Sequence, residues 1–272
     1  MPYANNNGMK IYYEVEGQGQ PLILVHGMGS SMQSWRYTGY AKELSKDHRL
    51  ILIDVRGFGG SDKPYESIAY AYDNLVRDLV AVLDALDIVR AGYLGYSLGG
   101  KIGFRIPIYA PRRFSFLIIG GMGYPVSGRE DVEDPIALQT QIDLETALRE
   151  APENPMAFFV ATREKRTGVS LPAYQREIQL AQDARARLAW MYKDRTAISP
   201  NAEEVLPKIK MPCLMFAGEQ DPWFPVAKAS AALIPDARFV ALQGLDHGQV
   251  LQHTELVLPF VKEFLAGVAK KR

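Results

Sequence analysis

The chain has 272 residues, 47% of them apolar and 23% charged, the ordinary make-up of a globular protein long enough to bury a large core. Its 31 Lys and Arg balance 31 Asp and Glu, so it lacks the basic excess that nucleic-acid or anionic-membrane binding needs. One cysteine excludes an internal disulfide, and no apolar run approaches the ~20 residues of a membrane span.

The start, MPYANNNGMK, lacks the charged head and apolar stretch of a secretory leader, so a cytoplasmic location is expected. Lys10–Val15 and Leu22–Val25 then read as strands. Leu50–Val55 (LILIDV) is nearly all apolar or β-branched, as expected of a strand buried on both faces in a parallel sheet. From Ala71 to Leu86, apolar residues recur at Leu75, Leu79, Val82, Leu83 and Leu86, the spacing of a helix with one buried stripe. Ala91–Tyr96 reads as a strand and Leu98–Ile106 as a helix, stopped or kinked by Pro107. Phe114–Ile119, Cys213–Ala217 and Arg238–Leu242 are further strands, and Cys213 is expected to be buried in the second of them. A last helix is expected from Thr254 to Val268. The β-α-β-α order predicts an α/β fold with a mostly parallel sheet and helices on both faces.

The rhythm breaks between Met122 and Pro200. This stretch opens with a polar, Pro-containing loop (SGREDVEDP) and continues with helical patterns, including Ala173–Lys193. It reads as a helical insertion over the sheet rather than a second independent domain, because its apolar residues are sparse and the sheet pattern resumes at Met211. The expected organisation is a core over 1–121 and 201–272, with the insertion over 122–200.

The chemistry points to LGYSLGG, Leu94–Gly100. A serine with glycines two residues away on either side, between a strand and a helix, fits a turn so tight that Ser97 is pushed out as a nucleophile. A serine hydroxyl needs a histidine base, itself oriented by a carboxylate. Of four histidines, His48 precedes its strand and so belongs to the opposite sheet edge, and His253 reads as a solvated helix-start residue. His26 and His247 both follow strands, on the rim where such sheets hold their sites. The chain order Ser, acid, His selects His247. Asp221, in FAGEQDPWFP, is the expected acid, with Glu219 as the alternative. Asp246 adjoins His247 too closely, and Asp54 is expected to brace loops. The Leu98 N–H, paired with the Met28 N–H in HGMGSS, fits an oxyanion site. Trp35, Tyr96, Met122, Tyr124, Trp190 and Trp223, with Met28, are candidate substrate-binding walls beside these loops or in the insertion.

The pieces VHGMGSS, DVRGFGGSDKP, GYSLGG, the GEQD stretch at Asp221 and GLDHGQV occur in the order seen in the α/β-hydrolase superfamily, and the chain resembles its small, helically capped serine hydrolases. The resemblance implies an α/β-hydrolase fold with an eight-stranded, mostly parallel sheet, catalytic Ser97, Asp221 and His247, oxyanion N–H groups from Met28 and Leu98, and no cofactor. Hydrolysis of small to medium apolar carboxylic esters through an acyl-enzyme is the expected activity. The expected partner is thus a small-molecule ester, with no nucleic acid and no membrane, and the pattern carries no signal of oligomeric state. C–C bond hydrolases and perhydrolases share much of the pattern, although many C–C hydrolases carry tryptophan where this chain has Gly248. Ser97 stands where epoxide hydrolases and haloalkane dehalogenases have aspartate. A hydrolase-like small-molecule receptor with slow turnover is the alternative of a different class.

Overall fold

The computed structural model describes residues 2–124, 135–192 and 201–270. Among these residues, eight strands form one sheet: β1 (Tyr3–Asn6), β2 (Met9–Glu16), β3 (Gln20–Val25), β4 (His48–Ile53), β5 (Ala91–Tyr96), β6 (Phe114–Gly120), β7 (Cys213–Gly218) and β8 (Ala237–Leu242). Their order is β1-β2-β4-β3-β5-β6-β7-β8. β1 pairs antiparallel with β2, and β2 antiparallel with β4. Every other pairing is parallel. The sheet is eight-stranded and mostly parallel, as expected.

Alternation along the central strands divides the core into two layers. Ile23, Val25, Ile51 and Ile53 pack on one face with Leu75, Leu79, Val82 and Leu83 of the helix Tyr72–Ala85. Leu22, Leu24, Leu50 and Leu52 pack on the other with Val257, Val261 and Leu265 of the helix Thr254–Lys270. Each such side chain contributes about 1.5–3 kcal/mol on leaving water, so β3 and β4 are held from both sides.

Some elements differ from expectation. The helix after Ser97 ends at Gly103, three residues early, and Pro107 sits in the first turn of a second short helix, Ile106–Tyr109. Its missing N–H costs nothing at that position. The expected Ala173–Lys193 helix is two helices, Ala173–Leu180 and Ala184–Met191. Asp183 caps the second through the Arg185 and Ala186 N–H groups, and Lys193 lies outside the described residues. So does nearly all of the SGREDVEDP loop. The described part of 122–200 is helical and adds Pro135–Glu150 and Pro155–Thr167. These helices share a small core of Leu144, Met156, Phe159, Val160 and Met191, joined to the sheet through Met28. Tyr174 stacks on Tyr37, and the Tyr65 hydroxyl donates to Asp183, so the segment rests on the helix Gln33–Tyr37 and the loop after β4, both beyond the carboxyl ends of strands. Among the described residues, no helix is long and apolar enough to cross a membrane.

Candidate active site

Ser97 connects β5 to the helix Leu98–Gly103 with φ 54° and ψ −110°, a backbone that L-residues rarely adopt. Neighbouring elements hold it there. Its N–H donates to the Gly120 carbonyl at 2.9 Å, and the Gly99 N–H donates to the His26 carbonyl at 3.1 Å. The glycines are required by contact: a Cβ on Gly95 would lie 2.4 Å from the Gly99 oxygen, and one on Gly99 would lie 2.2 Å from the Val25 oxygen. The chain therefore turns within van der Waals distance of β3, and Ser97 projects at the sheet's carboxyl edge.

Three chain segments meet there. The His247 Nε2 lies 3.0 Å from Ser97 Oγ, and its Nδ1 lies 2.7 Å from Asp221 Oδ2. A carboxylate only accepts, so Nδ1 carries the proton and Nε2 accepts from the serine hydroxyl. The Asp221 side chain is fully buried and that of His247 is 30% exposed. The other Asp221 oxygen accepts the Trp223 N–H at 2.9 Å, which fixes the carboxylate plane. His247 is held from behind by Tyr96, whose ring centroid lies 5.4 Å away and whose hydroxyl donates to the His247 carbonyl. Burial raises the Tyr96 phenol well above its ordinary range, with Asp221 adding to the shift, so this donor stays protonated. Asp246 caps the helix His247–Gln252 in a reciprocal capping box with Gln249. Glu219 is exposed.

The other histidines lie elsewhere. His26 is buried, its Nδ1 2.8 Å from the Gly27 carbonyl and its Nε2 accepting the Val55 N–H at 3.2 Å. Burial lowers its pKa, partly opposed by Asp54. Asp54 accepts the N–H groups of Met32 and Gly60, bracing both loops. His48 begins β4 at the far edge, and His253 is exposed against Glu255. Met28 follows Gly27, on which a Cβ would touch Ser97 Cβ at 3.3 Å. Among the described residues, the Met28 and Leu98 N–H groups have no protein acceptor.

The expected walls divide. Trp35 and Tyr124 have no exposed surface and pack the core, which removes them from any open pocket. Trp35 lies edge-on to Tyr40, and Tyr124 sits under the Arg105 guanidinium at 4.4 Å. Tyr96 supports His247. Met122 is buried against Gly100, and Trp190 is buried in the same core layer. Met28 and Trp223 are half-buried, with the Lys101 ammonium 5.2 Å from the Trp223 ring. Aromatic residues near site loops are common in sequence, and which way each turns is decided by packing. Arg187, on the helix Ala184–Met191, is buried against Gly29 in the loop beside Ser97, a neighbour with no motif to announce it.

A family model described as alpha/beta hydrolase fold matches residues 20–254. A protein of Azorhizobium caulinodans, whose name gives it provisionally as a carbamate hydrolase, is 28% identical over 247 residues, 88% of each chain. A 2-hydroxymuconate semialdehyde hydrolase of a Pseudomonas species is 34% identical over 124 residues, 44% of either chain. Among solved structures, an enol-lactonase of Burkholderia xenovorans superposes with a TM-score of 0.79 at 22% identity, over 97% of this chain and 100% of its own.

Proposed function

We propose, for a hydrolase that belongs to the α/β-hydrolase fold family, that this chain cleaves carboxylic esters of small to medium size through an acyl-enzyme on Ser97. The observation that carries the reading is the hydrogen-bonded series Ser97–His247–Asp221 at a serine held with φ 54°. His247 takes the hydroxyl proton as Ser97 Oγ attacks the ester carbonyl. Asp221 holds the ring in its Nδ1–H tautomer and stabilises the imidazolium. The Met28 and Leu98 N–H groups receive the oxyanion. His247 then protonates the leaving alcohol, and water repeats the sequence on the acyl-enzyme. The helices of 135–192 act as a cap that limits substrate bulk.

C–C bond hydrolysis is the second reading, favoured by the 34% identity to a 2-hydroxymuconate semialdehyde hydrolase over part of the chain. Gly248, beside the histidine, counts against it. The deciding test is hydrolysis of p-nitrophenyl esters from acetate to decanoate by wild type and Ser97→Ala. Turnover should fall about 10³-fold or more in the variant, and the chain-length optimum should measure the pocket. A well-folded wild type inert on every ester rejects the ester reading.

A further inference from the structure

Among the described residues, Arg187 differs from the ion-paired arginines of the chain in being buried without a carboxylate. Arg56 pairs with Asp78 at 2.5 Å, Arg166 with Asp143 at 2.8 Å, and Arg176 with Glu164. Among the described residues, no carboxylate meets Arg187, although it is only 5% exposed. One terminal nitrogen, Nη1, donates to Gln179 Oε1 at 2.9 Å and reaches Gln182 Oε1 at 3.5 Å. Its face lies over the Phe159 ring at 4.6 Å. The opposite edge is unsatisfied: the buried Nε has no acceptor. Nη2 on that edge faces Gly29, where a Cβ would come within 2.8 Å of it.

A buried guanidinium without a counter-charge is strongly disfavoured, because burial strips its hydration and nothing replaces it. Burial, reinforced by the Arg163 cation, lowers its pKa to about 9, which still leaves it charged at neutral pH. The Nε–Nη2 edge is the side-on fork that matches a carboxylate. It lies against Gly29, one residue, or about 3.8 Å of Cα spacing, from Met28.

We propose that Arg187 binds a carboxylate on the substrate of the Ser97 site, so that the ester cleaved is an acidic one, a half-ester or an ester of a hydroxy acid. This rests on the serine-hydrolase reading above. A carbonyl on the Met28 N–H and an acid on Arg187 are close enough to belong to one small molecule.

Two matched pairs test it. The acid sits on the acyl side in p-nitrophenyl hemiglutarate against p-nitrophenyl valerate, and on the alcohol side in 4-acetoxybenzoate against its methyl ester. Each rate is divided by the spontaneous rate. The expected result is a preference of about tenfold or more in kcat/KM for the acid of one pair. That ratio should collapse in Arg187→Met and recover in part in Arg187→Lys. No preference in either pair, or a preference that survives Arg187→Met, overturns the proposal. Should Arg187→Met fold poorly, wild type alone decides. Valerate should then inhibit neutral-ester hydrolysis about tenfold more strongly than valeramide, and equal inhibition overturns the proposal. Failure of the ester reading shows separately, as neutral-ester hydrolysis that persists in Ser97→Ala. Calorimetric titration of Ser97→Ala with glutarate reads the carboxylate site without turnover; heat of binding lost on adding Arg187→Met supports it, and absence of binding overturns it.

Discussion

At the scale of the residue, Ser97 combines strain with function. Its φ of 54° is held by hydrogen bonds that the Ser97 and Gly99 N–H groups donate to the carbonyls of Gly120 in β6 and His26 after β3, and strain of this kind costs roughly 1–3 kcal/mol. Glycine adopts the conformation freely but loses about 0.5–1 kcal/mol more chain entropy. Ser97→Gly and Ser97→Ala both remove the hydroxyl, yet only Ala keeps the strain. Ser97→Gly should therefore be more stable than Ser97→Ala by about 1 kcal/mol in urea unfolding, with both inactive; the reverse order would show that the turn is relaxed. Asp221 gives the complementary case, a buried carboxylate whose two oxygens serve His247 and the Trp223 N–H. Asp221→Asn keeps the shape and favours the wrong tautomer, so kcat should fall roughly 10⁴-fold with KM little changed. A loss below about tenfold would mean that His247 is oriented without it.

At the scale of the element, the strand–turn–helix around Ser97 tolerates no added carbon. A Cβ at Gly99 would lie 2.2 Å from the Val25 carbonyl oxygen, a backbone atom that cannot move alone. Gly99→Ala should cost about 1–3 kcal/mol and lower kcat, because it displaces the Leu98 N–H. Gly267, in the last turns of Thr254–Lys270, is the internal control: nothing lies within 4 Å of its Cβ position, and its φ is not in the left-handed region. Gly267→Ala should stabilise by about 0.5–1 kcal/mol, so thermal melts of the two variants should move in opposite directions. The same contrast explains what was legible in the sequence. The doubly buried runs at β3, β4, β5, β6 and β7 declare themselves because both faces need apolar side chains. β1, the edge strand YANN, does not, because pairing with β2 alone asks for no apolar pattern. The helices Gln33–Tyr37 and Tyr40–Leu44 are each five residues, too short to show a period. Ser97, Asp221 and His247 were legible because glycine spacing and loop position mark them, and the fold brings them into hydrogen-bond contact. Arg187 was not, because DARARLAW offers two arginines and only packing turns one of them inward.

At the scale of the molecule, the site depends on the second half of the sheet. Asp221 follows β7 and His247 follows β8, so opening of β7 would separate both from Ser97. Cys213, the first residue of β7, reports on that opening. It is buried, and desolvation raises its thiol to about 12, with Asp236 adding to the shift. A folded-state thiol of that kind is protonated and inaccessible, and alkylation must wait for the chain to open. If β7 opens only with the whole domain, whose stability is of order 5–15 kcal/mol, iodoacetamide labelling at pH 8 should be at least about 10³-fold slower than for a free thiol. Its urea dependence should match that of global unfolding. The pH dependence gives the sign. Labelling from the opened state rises with pH and levels off above the ordinary thiol range near ~8.5, whereas labelling from the folded state would keep rising toward about 12. A plateau near the lower value, with activity and labelling lost and gained at the same urea concentration, would establish that Ser97 and its partners on β7 and β8 share one cooperative unit. Fast labelling of an active enzyme would instead show that β7 opens locally while the site survives.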